Sequence, residues 1–272
     1  MGCEEIPTRT VGSIADLIGA VSEDVREWEP TFPWFRGEDA GTPTPLTPLV
    51  FRTPRREYNH DRSVVTGYHY DENNLLQSFR RRAHLMGLPI IPRRSETDLW
   101  LFLARHVGLP TRLLDWSEGA LIGFYFALFE ERPVVWMLNP HELNRKSAPG
   151  TLPNVFPLTW FPGEGESNIG FKNVQAAWRL GAGATELPVA IEPTNIHPRM
   201  NAQHSYFTVH GGSRKPLCDL VGRSCLRRYL LELQDRDGAM RDLRRLGIAH
   251  STIMPDAEAL SAELRRFLLV PD

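Results

Sequence analysis

Cysteine is scarce in this chain: Cys3, Cys218 and Cys225 are the only three in 272 residues, and no two stand at CxxC spacing. An odd count without that spacing argues against a thiolate zinc ribbon or a disulfide-stapled scaffold, and it predicts free thiols in a reducing, cytoplasmic compartment. No apolar run approaches the roughly 18 residues that a membrane span needs. The opening MGCEEIPTRT carries an acidic pair where a secretory signal would be basic, and Ile6 stands at the Ser/Thr position of a myristoylation signal. No membrane association is expected. An excess of one charge is also missing, since the formal net charge is only -2. That balance excludes a bulk polyelectrolyte binder and leaves room for local basic patches.

Several chemical signatures are absent as well. There is no GxxxxGK[ST] phosphate cradle, and Gly181-Ala182-Gly183 lacks the third glycine of a dinucleotide fingerprint. HExxH, the zinc-deaminase signature and the GxSxG elbow do not occur, and the nine histidines never pair at ligand spacing. No metal site is expected. Lysine is the last scarcity, with Lys146, Lys172 and Lys215 against 28 arginines. A GC-rich coding bias accounts for that ratio, and so would a need for forked guanidinium groups against phosphates or carboxylates. Position has to decide between them.

What is present is ordinary globular composition, 42% hydrophobic and 10% aromatic, which is enough to bury a sizeable core. Apolar spacing predicts a helix over residues 13–28 with Ser13 as N-cap, an aromatic strand at 34–38, and a helix over 72–86 carrying Arg80, Arg81 and Arg82. Ser95 and Asp98 resemble a capping box ahead of a helix that ends at Gly108-Leu109-Pro110. A strand over 111–116, an apolar helix over 117–131 and a strand over 133–138 follow. Residues 139–185, rich in Gly, Pro and Asn, are expected to be an irregular functional loop or insertion able to cover a site. Strands near 188–192 and 203–209 come next. The tail alternates strand (226–233), helix (236–246), strand (248–253) and helix (255–268). The pattern predicts one α+β domain: a mixed, mostly antiparallel central sheet flanked by helices, with residues 1–29 packed on a body formed by 30–272.

Three polar constellations sit in apolar surroundings. In Trp34-Phe35-Arg36-Gly37-Glu38, an arginine between aromatics requires an anionic partner, either a carboxylate or a ligand phosphate, and Gly37 would admit close backbone approach. In the second, His106 to Trp116, strand alternation would put Arg112 on one face and Thr111 and Asp115 on the other. Each of these has a purely structural reading, a satisfied core histidine or a loop ion pair. The third runs from Arg199 through Gln203 to His210, with donors at a strand entrance and exit.

These residues carry a resemblance. Trp34-Phe35-Arg36-Gly37 is similar to the motif for which the FRG domain family is named. His106-Val107-Gly108-Leu109-Pro110-Thr111-Arg112-Leu113-Leu114-Asp115-Trp116-Ser117 resembles that family's most distinctive block, and Arg199 to Thr208 resembles its later Arg…Gln…Phe-Thr element. The likeness extends over roughly residues 30–265. Glu38 stands where the family usually has glutamine, and Ser205 where it has glycine. The layout is also similar, more distantly, to ADP-ribosyltransferases. That likeness implies Arg36 as an NAD anchor, with Thr111 and Arg112 at the second strand; the residues themselves add Gly37 and Arg199 on the nucleotide. Gln203 would then lie on the later strand, with His106 and a carboxylate, Glu38 or Asp115, assisting transfer.

The expectation is a nucleotide-utilising transferase that breaks the nicotinamide glycosidic bond of NAD, its acceptor a protein or a nucleic acid, in the setting of a toxin or defence effector. The alternatives are a non-catalytic nucleotide or nucleic-acid sensing module, and a nuclease or phosphodiesterase without a recognised motif.

Overall fold

The structure is a computed structural model and describes residues 2–52, 70–88, 90–147, 156–157, 187–193 and 196–267. The fold is α+β. Among the described residues, eight strands form one sheet: β1 (Thr8–Val11), β2 (Trp34–Asp39), β3 (Leu113–Ser117), β4 (Pro133–Leu138), β5 (Phe156–Pro157), β6 (Val189–Glu192), β7 (Ser205–Val209) and β8 (Leu226–Leu231). Their spatial order is β1-β8-β4-β2-β3-β7-β6-β5, antiparallel except for the parallel edge pairs β1–β8 and β5–β6. The helices are α1 (Ile14–Val25), α2 (Glu72–Arg82), α3 (Thr97–His106), α4 (Ala120–Ala127), α5 (Pro140–Ser147), α6 (Pro198–Ala202), α7 (Leu217–Val221), α8 (Arg236–Arg245), α9 (His250–Ile253) and α10 (Ala257–Phe267).

The sheet is covered on both faces, and strand alternation decides what goes where. Along β4, Val135 and Met137 pack with Phe35, Tyr125 and Leu17 beneath α1 and α4, while Val134, Trp136 and Leu138 pack with Trp34, Trp116 and Leu143 on the opposite face. All six β4 residues are buried, as befits a strand that is central and covered twice. A third cluster joins α2 and α3 to β6 and β7 through Trp100, Phe102, Ile191 and Phe207. Among the described residues, no helix is long and apolar enough to cross a membrane.

Local signals are accurate where side chains decide locally. Ser13 caps α1 by accepting from the Asp16 amide. Four expectations are corrected. Ser95 and Asp98 form no capping box: Glu96 is the N-cap, and the buried Asp98 carboxyl is pushed up chiefly by desolvation. Residues 248–253 are not a strand, because Ala249 starts the short helix α9 and is held there by Thr252. Residues 8–11, expected within a helical N-terminal region, add strand β1 against β8. Residues 140–147, expected to be irregular, form α5, and most of the expected loop over 139–185 lies outside the described residues.

The cysteines are corrected too. Cys3 and Cys218 are joined by a disulfide across 215 residues of sequence, fastening the N-terminal turn to α7, and the Cys3 amide donates to Asp219 at 2.9 Å. Cys225 remains free and buried, and desolvation raises its thiol to about 11, so it is inert as a nucleophile at neutral pH.

Candidate functional site

β2 and β3 share only one register pair, Phe35 with Ser117, so beyond it the two central strands no longer bond to each other. A buried carbonyl left in such a gap needs a donor. Arg36 provides one: its Nη1 donates to the Asp115 carbonyl at 3.0 Å and lies 3.6 Å from the Asp115 carboxylate. Its Nη2 is 3.9 Å from Glu38, while Nε is buried and has no partner among the described residues. Burial pulls the Arg36 pKa down, and the carboxylates Glu38 and Asp115 oppose that. The guanidinium is therefore a charge lodged between strands, with one donor unused.

This gap opens into a cavity of about 540 Å³, within the usual range for small-molecule sites. Phe35, Trp116, Tyr125, Phe126 and Phe129 provide its apolar walls; Arg105, His106, Asp115, Arg199 and Gln203 are among its polar ones. Asp115 accepts from Arg105 Nε at 2.7 Å and also from Nη2. Burial alone would raise its carboxyl, but the attraction of Arg105 and its hydrogen bond, with Arg36 adding to them, hold it below the usual carboxylate range. It is an anion at neutral pH. His106 is lowered to about 4, first by desolvation and then by His197 and Arg199. Its ring centroid lies 3.9 Å from that of His197, and its buried Nε2 has no partner among the described residues. A neutral imidazole there can exchange a hydrogen bond with a ligand and is not a strong base.

The depressed Asp115 pKa has a consequence for stability. A carboxylate stabilised in the fold contributes above its unfolded pKa near 4 and loses that contribution as pH falls through the lower folded value. Asp115→Asn is expected to cost about 1–2 kcal/mol at neutral pH, a modest figure because the Asp115 side chain is 38% exposed. Melting curves between about pH 3 and pH 6 should show wild type losing stability on acidification while the variant loses less. Parallel curves would mean that the pair contributes nothing.

The structure brings together Arg36, Gly37, His106, Asp115, Arg199 and Gln203 at one cavity, although they span most of the chain. It does not bring Glu38, Thr111 or Arg112 there. Glu38, 5% exposed, accepts from the Leu46 amide at 2.9 Å and from Arg52 Nη2 at 2.5 Å, so it braces the loop after β2. Thr111 and Arg112 precede β3 rather than lie on it. The Thr111 hydroxyl accepts from the Leu113 amide, and Arg112 is clamped by Glu72 through its backbone amide and Nε at 2.9 and 2.8 Å. Gln203 is not on a strand either: it is the C-cap of α6, and its amide donates to the Ile253 carbonyl at 3.3 Å. Arg199 forks onto Asp256, with Nε at 3.1 Å. Gly37 faces α4, where a Cβ would meet the Gly123 carbonyl and Ala127 amide at 2.4 Å. Helix packing against the strand, rather than approach of a ligand, is thus enough to require glycine at that position.

Residues that sequence reasoning missed are Arg105, Ser117, Tyr125 and His250. Arg105 immediately precedes the distinctive central block and Ser117 ends it, so a signal for both was available. Tyr125 reads in the sequence only as part of an apolar helix, yet its hydroxyl sits 2.5 Å from His250 Nδ1 across 125 residues.

The FRG domain family model matches residues 32–134, so an FRG domain occupies that part of the chain. The match contains β2, α2, α3, β3, α4 and the start of β4, and with them Arg36, Arg105, His106 and Asp115. It ends before the Arg199–Thr208 element, and so is narrower than the likeness over residues 30–265. Neither a curated protein nor a solved structure matches the chain.

Proposed function

We propose that the cavity binds a nucleotide and that the chain is a transferase of the ADP-ribosyltransferase kind, with NAD as donor. The observation that carries this reading is the Arg36 guanidinium, lodged between central strands on the floor of an aromatic-walled cavity with its buried Nε unpartnered among the described residues. A forked cation suits a diphosphate, and flat apolar walls suit an adenine or nicotinamide ring. Asp115 is a partly exposed carboxylate of the lining and takes the assisting role that Glu38 is not positioned for. In the reaction, the bond between ribose C1′ and the nicotinamide nitrogen breaks. The electron pair leaves with nicotinamide, which becomes neutral, and an acceptor lone pair closes the new bond and gives up its proton. Positive charge develops on the sugar, and a fixed anion favours it without a strong nucleophile from the chain.

A second reading, nucleotide sensing without turnover, is favoured by one feature: Asp115 is already neutralised by Arg105 and Arg36. The experiment that separates the two is incubation with NAD, read by mass spectrometry for free nicotinamide and by calorimetry for binding. Release supports the transferase, binding without release supports the sensor, and the absence of both sinks the nucleotide site. Arg36→Lys is expected to weaken NAD binding by about 1.5–3 kcal/mol, the usual size of a hydrogen bond to a charged group. Unchanged affinity with a lowered melting temperature would make Arg36 purely a strut between β2 and β3.

A further inference from the structure

Away from the cavity, Arg80, Arg81 and Arg82 end α2, and Arg93 and Arg94 stand on the segment that leads into α3. A concavity of about 630 Å³ lies between them, lined by Asn74, Gln77, Arg80, Arg81, His84 and Arg94 over the edge of Trp100; no carboxylate is among the described lining residues, although Asp71 accepts from Asn74 and Glu96 from the Arg93 amide at its margins. Arg80 lies 5.6 Å over the Trp100 ring and donates to the Arg94 carbonyl, which ties the two segments into one surface. Many other arginines pair with carboxylates, as with Arg9, Arg105, Arg112, Arg199 and Arg227, although among the described residues Arg26, Arg223, Arg228 and Arg236 do not. Among the described residues, Arg80, Arg81, Arg82, Arg93 and Arg94 have no such ion pair. A helix C-terminus favours cations and would account for Arg80–Arg82, but Arg93 and Arg94 lie outside any helix. Clustered exposed cations repel one another weakly through water and salt, and a bound polyanion would turn that repulsion into attraction.

We infer that this arginine surface is a docking site for the sugar-phosphate backbone of a nucleic acid. Forked guanidinium groups spaced along a groove match successive phosphates. The Gln77 amide adds a neutral donor, while Asn74 Nδ2 already donates to Asp71 at 2.7 Å, and exposed Leu85 and Met86 offer apolar surface to a base. The concave, amide-bearing lining suits a phosphodiester chain better than a flat lipid surface. Trp100, only 2% exposed, orients Arg80 rather than stacking on a base. Recognition through backbone charge would be largely indifferent to sequence. The inference stands whatever the cavity binds.

The test is fluorescence anisotropy of the full chain with a labelled single-stranded oligonucleotide across a salt titration. Wild type should bind, with affinity falling steeply as salt rises. The double variant Arg81→Gln, Arg94→Gln changes two exposed side chains and should keep its melting temperature. It should bind about tenfold more weakly, with a salt slope shallower by about 1.4, or about 0.7 for each phosphate no longer neutralised. Asp115→Asn should bind the oligonucleotide as wild type does. The inference is overturned by no binding at low salt or by an unchanged affinity in the double variant. Equal competition by polyglutamate would overturn it, as would retention on phosphatidylserine vesicles without oligonucleotide binding.

Discussion

Gly37→Ala is expected to destabilise the protein by at least about 3 kcal/mol, at or above the upper end of ordinary overpacking. The added methyl would lie 2.4 Å from both the Gly123 carbonyl and the Ala127 amide and 2.9 Å from the Phe126 carbonyl carbon. These are backbone atoms of α4, which cannot rotate away as a side chain would. Relief requires moving the helix off the central strand. That helix carries Phe124 and Tyr125, both almost completely buried in the core beneath β2 and β4. Chemical denaturation measures the effect directly. Loss of NAD affinity with stability intact would return Gly37 to the role of a gap kept open for ligand.

The second large effect is expected at Glu72→Ala, on the far side of the FRG block from the cavity. Arg112 is 3% exposed, and Glu72 receives its backbone amide, Nε and Nη2, the last at 2.7 Å. Removing one member of a buried, hydrogen-bonded ion pair leaves the other charge desolvated. We expect a loss of about 3 kcal/mol, at the lower end of that range because the Glu72 side chain keeps 15% of its exposure. Nucleotide binding should survive in the fraction that folds, because neither residue lines the cavity. The double change Glu72→Leu, Arg112→Met should recover part of the stability, since replacing both partners removes the stranded charge. A single variant as stable as wild type would show that Arg112 does not depend on this partner.

The same contrast explains why the central block resists a reading of roles from sequence. Arg112 and Asp115 stand three residues apart in it, yet one braces α2 and the other reaches the cavity. Alternation predicts opposite faces only for residues on one strand, and β3 begins at Leu113, after Arg112. Glu38 shows the same failure from the other direction. It is two residues from Arg36, close enough in sequence to suggest a charge at the site. The loop after β2 folds back so that the Leu46 amide and Arg52 absorb both its oxygens. Gln203 ends a short helix because Pro198 starts one and His197 caps it, a local signal that a strand reading passes over.

The sequence by itself determined the α+β class, most helices and strands, the capped start of α1 and the FRG motif that brings Arg36 to a central strand. Each depends on side-chain periodicity, caps and breakers acting within a few residues, and those forces act before any tertiary structure forms. Only the tertiary structure decided which polar residues share a cavity, that Gly37 yields to α4, that Cys3 meets Cys218, and that Tyr125 meets His250. Those pairings join segments far apart in the chain, and apart from the covalent disulfide their energy comes from desolvation and close packing. Both exist only once the sheet has ordered its strands and the helices have closed over its two faces.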